Sequence, residues 1–539
     1  MEETIPADPG KHTIPASSGT RPWLPVAWLG LGVYVTLLAL AAFARQYPVF
    51  GAETDFLGGL IWDANAFLTG ETPGLRYKPP LYPVMLALVQ TQVHDWFTSG
   101  RLISISSSAL YLVVTFVLLH RAVSLPAAIG GIAALLASPV FLSHSAMAST
   151  ELMFLCLYGS ALLLTFTAAD RHSLWRWVVA GILSGLTMLT RTNGVIALLF
   201  PLFLLFTGAS TAARFRMLGG FVAGISAPLL LWWGIATLAG YPYGPSMTYM
   251  NLAMTYFSPT DDRISGDAMH ALAGQYSGIW SVLSHDPVHI IKVYLRDLYS
   301  LPGQLFRGDR LFAYPVNVVI GCAAVLWVFV ATRSKWMLAL VLVSGLHILL
   351  VNFKAYEPRF YIFLVPLFGA TLGHTYHLLS PGGAAGDRWQ HFSGWLAKLV
   401  IFPLAALGIA SAASSAVADL MRDDAELGAS IKAAGSLVPA GSLVIARKPH
   451  LPHYIDSSAI AIPPDSGIAE LREYMTRYAG ESEVFLYFGK IERMTWKDLQ
   501  ADLAGGAPAW LVPLATVPGQ WTLYRFDASC CPLDDPQGD

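Results

Sequence analysis

Residues 101–120 read RLISISSSALYLVVTFVLLH, and from 102 to 120 there is no Asp, Glu, Lys or Arg. A helix rising about 1.5 Å per residue needs roughly 20 such residues to cross a hydrocarbon layer of ~30 Å. Runs of this kind recur along the chain, near 24–43, 125–142, 150–168, 175–190, 193–207, 215–239, 314–331, 336–352, 360–379 and 394–412. They predict about eleven membrane crossings. Composition agrees: hydrophobic residues make up 55% of the 539, charged residues 13%, and the mean hydropathy is +0.52. A soluble domain carries nearer one quarter charged residues. The expected class is therefore a polytopic α-helical membrane protein. The net charge of −2 holds no basic excess for nucleic acid.

Between and beyond these runs the composition changes. Residues 1–22, rich in Pro, Ser and Thr, read as a disordered tail, and the run 24–43 lacks a small-x-small cleavage site, so it reads as a retained helix. Arg21, Arg121, Arg171, Arg176, Arg214, Arg216, Arg333, Lys335 and Arg388 all fall on one side of the predicted bundle, which the positive-inside rule makes cytoplasmic. The loops 44–100 and 240–313, the turn at Arg191 and the turn 353–359 then face outward. The membrane domain is expected over 23–412. From 413 to 539 charges return and short apolar strands near 442–446, 459–462, 483–487, 510–513 and 521–524 alternate with helices near 425–434, 467–479 and 495–504. That alternation predicts a small α/β domain on the outer side. The run 79–94, starting at Pro-Pro and ending at His94-Asp95, suits a shallow interfacial helix better than a crossing.

Polar residues that carry chemistry gather at outer helix mouths. Glu53 and Asp55 follow the first run. A carboxylate partly withdrawn from water gains basicity, which suits a general base acting on an acceptor hydroxyl, and the second carboxylate is placed to hold a divalent cation or orient the acceptor. The competing reading is a pair of solvated loop charges beside Arg45; Asp63 is a weaker candidate on the helical run that follows. Lys78 precedes the rigid Pro79-Pro80 and stands between Tyr77 and Tyr82, either a fixed cation for a phosphate or an interfacial anchor with aromatic-belt tyrosines. Arg191, in Thr-Arg-Thr-Asn between two apolar runs, needs an anion. A lipid phosphate and Glu151, at the outer end of its own run, are the two candidates. Arg359 opens the run Glu357-Pro358-Arg359-Phe360-Tyr361, with Glu357 as its local alternative partner.

In the loop 240–313, Tyr241, Tyr243, Tyr249, Tyr256, Trp280, His270, His285 and His289 offer rings for sugar stacking or nitrogens for a metal, or simply pack the loop. Arg447, Lys448 and His450 in the tail read as acceptor contacts or plain surface charge. Of four cysteines, Cys156 and Cys322 lie in apolar runs, while Cys530 and Cys531 are neighbours that bridge each other only under strain.

The order and spacing of these pieces resemble the GT-C superfamily of integral-membrane glycosyltransferases, in the branch of the protein O-mannosyltransferases, the aminoarabinose transferase and the Rgt-type galacturonosyltransferases. The resemblance rests on Asp55 after the first run, the Trp62–Gly70 helix, Tyr-Lys-Pro-Pro-Leu-Tyr-Pro at 77–83 and Arg101–Ser104. It continues through Thr-Arg-Thr-Asn-Gly at 190–194, Glu-Pro-Arg-Phe-Tyr at 357–361 and the tail phrase 444–454. It implies an inverting transfer of a sugar from a polyprenyl-phosphate donor to an extracytoplasmic acceptor hydroxyl on a lipid, glycan or protein, at a bacterial inner membrane. It implies Asp55 as base, with Glu53 beside it, and Lys78, Arg191 and Arg359 on the donor phosphate. Tyr77, Tyr82, Glu151, Glu357 and Tyr361 would line the pocket. The aminoarabinose branch has an acid immediately before the Lys, where this chain has Tyr77, so a divalent cation is possible but not required. A flippase or transporter would instead show charged or broken helices in mid-membrane and an inverted repeat, and the sequence displays neither. A third reading is a membrane scaffold without catalytic activity.

Overall fold

The computed structural model describes residues 30–37, 39–40, 56–75, 78–245, 248–257, 272, 275–307, 335–353, 357–379, 407, 410–411, 414, 425–460, 462, 466–480, 482–489, 492–493 and 496–530. Glu53, Asp55, Tyr77, His270 and the run 314–331 lie outside the described residues, as does most of the run 394–412.

A single π-helical turn over Phe56–Leu60 leads into α1 (Ile61–Thr69), which Gly70 closes in the left-handed region at φ 77°. Two helices follow, α2 (Leu81–Val93) and α3 (Trp96–Ala122). The Asp95 side chain accepts from Thr98 N at 2.6 Å and so starts α3 five residues earlier than the apolar pattern suggests. Next come α4 (Leu125–Leu136) and α5 (Pro139–Ala146), then α6 (Glu151–Arg171) and α7 (Leu174–Thr190). A 3-10 helix over Thr192–Phe206 precedes α8 (Thr211–Ala239).

Among the described residues, α3, α6 and α8 are long and apolar enough to cross a membrane, and α4 with α5 makes a fourth span bent by 69°. The bend corrects the expectation of unbroken helices. Ser138 is extended and its hydroxyl caps α5, while Pro139 at the first helical position has no N–H to continue α4. No charged residue occupies the break, so it lacks the polar lining of a transporter site.

Small residues let the helices close up. A Cβ on Gly181 of α7 would run into the Phe221 carbonyl of α8, and one on Gly224 into the Val178 carbonyl. The same device joins Gly130 of α4 to Gly369 of the late helix. The ends of α3, α6 and α8 that carry Arg121, Arg171 and Arg214 form a basic end. There Arg214 donates to the Thr207 carbonyl at 2.9 Å, placing a cation at a helix C-terminus.

The loop 240–313 has structure of its own: α9 (Thr248–Phe257), α10 (Ile279–His285) and the amphipathic α11 (Pro287–Arg307). Then come α12 (Lys335–Val351), a 3-10 turn over Pro358–Leu364 and α13 (Val365–Leu379). Tyr294 of α11 donates to the Leu349 carbonyl at 3.0 Å and fixes the loop to the end of α12.

The C-terminal domain contains α14 (Ala425–Leu437), β1 (Leu443–Ile445), α15 (His450–Tyr454), β2 (Ser458–Ile460), α16 (Ile468–Tyr478), β3 (Val484–Phe488), α17 (Lys497–Ala504), β4 (Leu511–Val517) and β5 (Trp521–Phe526). All five expected strands are present, in the order β2-β1-β3-β5-β4, parallel through β3 and antiparallel beyond it. β1 and β3 are buried on both faces. Phe485 and Tyr487 meet the core under α14, while Leu486 and Phe488 meet the core under α16 and α17. The domain docks on the membrane part through α15, where Tyr454 stacks on Phe97 of α3 at 5.9 Å and 7° and His453 meets the same ring edge-on at 5.6 Å.

Candidate active site

At the end of the bundle opposite the basic end, three chain segments distant in sequence converge. Helix α6 begins with Glu151; α7 ends at Arg191, which is extended and opens the 3-10 helix; and Pro358, held at a first helical position, starts the turn that carries Arg359. Arg191 Nη1 lies 2.7 Å from Glu151 Oε1, both side chains almost fully buried, and donates to Thr150 Oγ1 at 2.6 Å. Arg359 Nε lies 3.5 Å from the same Glu151 oxygen and donates to Glu357. The Phe360 ring sits beneath both guanidiniums, at 5.4 Å from Arg191 and 5.2 Å from Arg359.

A buried charge is tolerated only with a partner. Glu151 supplies it for Arg191, and its place in the first turn of α6 puts the carboxylate at the favourable end of the helix dipole. The cluster balances two guanidiniums with two carboxylates. Exposure separates the cations: the Arg359 side chain is 21% exposed, that of Arg191 only 6%. Arg359 is thus the more accessible of the two guanidiniums, and Arg191 the more deeply buried.

Lys78 is half-buried at the entrance to α2. Leu75, three residues before it, packs with Leu189 of α7, Trp232 and Tyr241, so the Lys78 loop approaches the same end of α7 as Arg191. The loop is held by Asp63, whose carboxylate accepts from Leu75 N at 3.0 Å; Asp63 is buried and ties the backbone there. Tyr82 is not the interfacial anchor its sequence context allowed: it is fully buried with Phe56, Leu60 and Leu86. Tyr361 is likewise buried, in the main membrane core.

Other expectations are resolved by packing. Phe257 gathers Tyr276, His285 and His289 at 5.8, 5.1 and 5.6 Å, and a His289 ring nitrogen pairs with the Tyr256 carbonyl at 2.9 Å. Among the described residues no group of three His, Cys, Asp or Glu side chains forms a metal site. In the tail, Arg447 N and Gly489 N both donate to the buried Glu492 carboxylate, at 2.9 and 3.1 Å, and burial pushes that carboxyl above its usual range. No role is legible in the sequence for Thr150 or for Phe360, although each adjoins a residue singled out there. A hydroxyl and a ring beside a charge carry no signal until the partner arrives from another helix.

Residues 77–233, which include Lys78, Glu151 and Arg191, match the family model described as dolichyl-phosphate-mannose-protein mannosyltransferase. No curated protein matches the sequence. The crystal structure of ArnT from Cupriavidus metallidurans bound to undecaprenyl phosphate superposes with a TM-score of 0.56 at 13% identity, over 94% of this chain and 99% of that one. The Archaeoglobus fulgidus oligosaccharyltransferase in complex with Zn and sulfate gives 0.55 at 12% identity, over 94% of this chain and 74% of that one. The chain is a multi-pass α-helical membrane protein with the fold of these two structures.

Proposed function

We propose that the chain is an inverting glycosyltransferase that moves a sugar from a polyprenyl-phosphate donor to an acceptor hydroxyl on the outer face of a bacterial inner membrane. The basic end is then cytoplasmic. The acceptor is a glycan, lipid or protein. The observation that carries the reading is the arginine pair set around Glu151 at the mouth of α6, in a fold whose neighbour holds undecaprenyl phosphate.

As the sugar leaves, negative charge grows on the donor phosphate, and a fixed cation in a low-dielectric site stabilises it without reorganising. Arg359, the more exposed of the pair, takes that phosphate together with Lys78. Arg191, held by Glu151 and Thr150, positions Phe360 and, through the shared carboxylate, Arg359. Asp55 removes the proton of the acceptor hydroxyl, which attacks the sugar carbon opposite the phosphate in one displacement. Glu53 supports the acceptor or, with Asp55, a divalent cation.

The test is Asp55→Asn with a polyprenyl-phosphate sugar and envelope glycans as acceptors. The expected outcome is transfer reduced by about 10²-fold or more with donor binding retained, since loss of a general base touches the transition state alone. A scaffold or a transporter would be indifferent to the change. Glycolipid and glycan profiles of a strain lacking the protein then identify sugar and acceptor.

A further inference from the structure

A concavity opens where α1 meets the α/β domain. Leu57, Ile61 and Trp62 form one wall; His453, Ser457 and Ser458 belong to the other, around a space of about 190 Å³. The two walls come from segments some 400 residues apart in sequence, and the Phe97–Tyr454 stack beside them fixes their separation.

The floor and rim of this cleft differ in chemistry. Leu57 and Ile61 are buried, whereas Trp62 on the same wall is 61% exposed. Opposite it stand Ser457, Ser458 and His453, none of them fully buried. A flat indole face with hydroxyls and an imidazole across from it suits a pyranose, whose C–H face is apolar and whose edge is ringed with hydroxyls. The volume lies below the roughly 300–1,000 Å³ of sites for drug-sized ligands, so there is room for one ring. The cleft is also near the proposed chemistry in sequence, since Leu57 follows Asp55 by two residues.

We propose that this cleft binds one sugar ring of a glycan-bearing acceptor. Trp62 is the stacking platform, and Ser457, Ser458 and His453 are the hydrogen-bonding edge. The assignment rests on the glycosyl-transfer reading and narrows its acceptor to one that presents a sugar.

The experiment is saturation-transfer NMR on the full chain in nanodiscs with the methyl glycosides of glucose, galactose, mannose and N-acetylglucosamine as probes. Undecaprenyl phosphate binding is measured on the same samples. At least one glycoside is expected to receive saturation through its ring protons. Its affinity should fall about fivefold or more in Trp62→Ala, as expected for loss of a ring-face contact. Trp62→Phe should restore most of it. Ser458→Trp, which fills the cleft from the other wall, should abolish it without removing any α1 contact. No saturable transfer in the wild type, or transfer unchanged by Trp62→Ala and Ser458→Trp, overturns the proposal. Glycoside binding with this mutational pattern in a protein that does not bind undecaprenyl phosphate leaves the cleft standing and removes the donor assignment instead.

Discussion

Replacing Glu151 with Gln tests the pairing on which the site depends. The change keeps size and hydrogen-bonding capacity but strips the counter-charge from Arg191, 2.7 Å away with both side chains at least nine-tenths buried. Removing one partner of a buried ion pair costs about 3–5 kcal/mol, because the other charge is left in low dielectric. Arg191 would keep the Thr150 hydroxyl and the Phe360 face, so a loss near the lower bound, about 3 kcal/mol, is expected. Arg191→Met should cost a similar amount, since Glu151 then keeps only Arg359 at 3.5 Å. The double variant should be no less stable than either single one, as a well-packed apolar replacement of a whole buried pair is often neutral, which gives a coupling of about 3 kcal/mol. Reversible denaturant titration of the protein in bicelles, followed by circular dichroism, measures all four corners of the cycle. The pair Glu151 and Arg359 is the internal control. Arg359 is partly exposed and keeps Glu357, so its coupling to Glu151 should stay below about 1 kcal/mol. Strictly additive losses in the Arg191 cycle would refute the pairing and return Arg191 to the phosphate.

Arg359→Ala should weaken undecaprenyl phosphate binding about tenfold or more, the value of a charged hydrogen bond, while Arg359→Lys recovers part of it as a point charge; native mass spectrometry of the lipid complex reads both. The docking of α15 should depend on pH. Burial pushes His453 below the usual imidazole value of 6.5, against the opposing pull of Asp95 and Asp456. The undocked imidazole therefore binds its proton first, so the contact is intact above about pH 6.5 and weakens as pH falls from there. Melting curves between pH 7.5 and 5.5 should show that loss, and His453→Phe should flatten it. Gly224→Leu should cost about 1–3 kcal/mol by forcing α7 and α8 apart, whereas Gly219→Leu on the same helix, with open space at its Cα, should be near neutral in the same titration.

Much of the fold was legible because membrane physics writes it in one dimension. The span at 101–120, the end that carries Arg121, Arg171 and Arg214 and the five strands of the tail each follow from local composition, and each is present among the described residues. The break at Ala137–Ser138 was equally local, signalled by Ser-Pro, yet it was overlooked because hydropathy averages over it. The helices of the 240–313 loop were hidden for the opposite reason. Their tyrosines, histidines and Phe257 pack on one another, as Phe257 with His285 and His289 shows, so they look like loose binding residues when read singly. Glu151 was found as a partner for Arg191 across 40 positions of chain because burial leaves an arginine few options. Phe360 was not, since a phenylalanine imposes no such demand.

The balance of charge at that site bears on which cation does the chemistry. Lys78, Arg191 and Arg359 look equivalent in the sequence, three positive charges at outer helix mouths. In the fold, Glu151 is shared by both arginines, and among the described residues Glu357 pairs with Arg359. A phosphate approaching Arg191 would have to displace a nearly dry carboxylate from its 2.7 Å contact and leave it to the longer 3.5 Å contact with Arg359, at a cost in a low-dielectric site. A phosphate approaching Arg359 meets Glu357, whose side chain is 31% exposed and can turn to solvent. Under the proposed function the cheaper exchange is at Arg359, with Glu151 keeping Arg191 and Phe360 in place while the ligand changes. Removing Glu357 should then tighten phosphate binding, where removing Glu151 should loosen the whole mouth of the site.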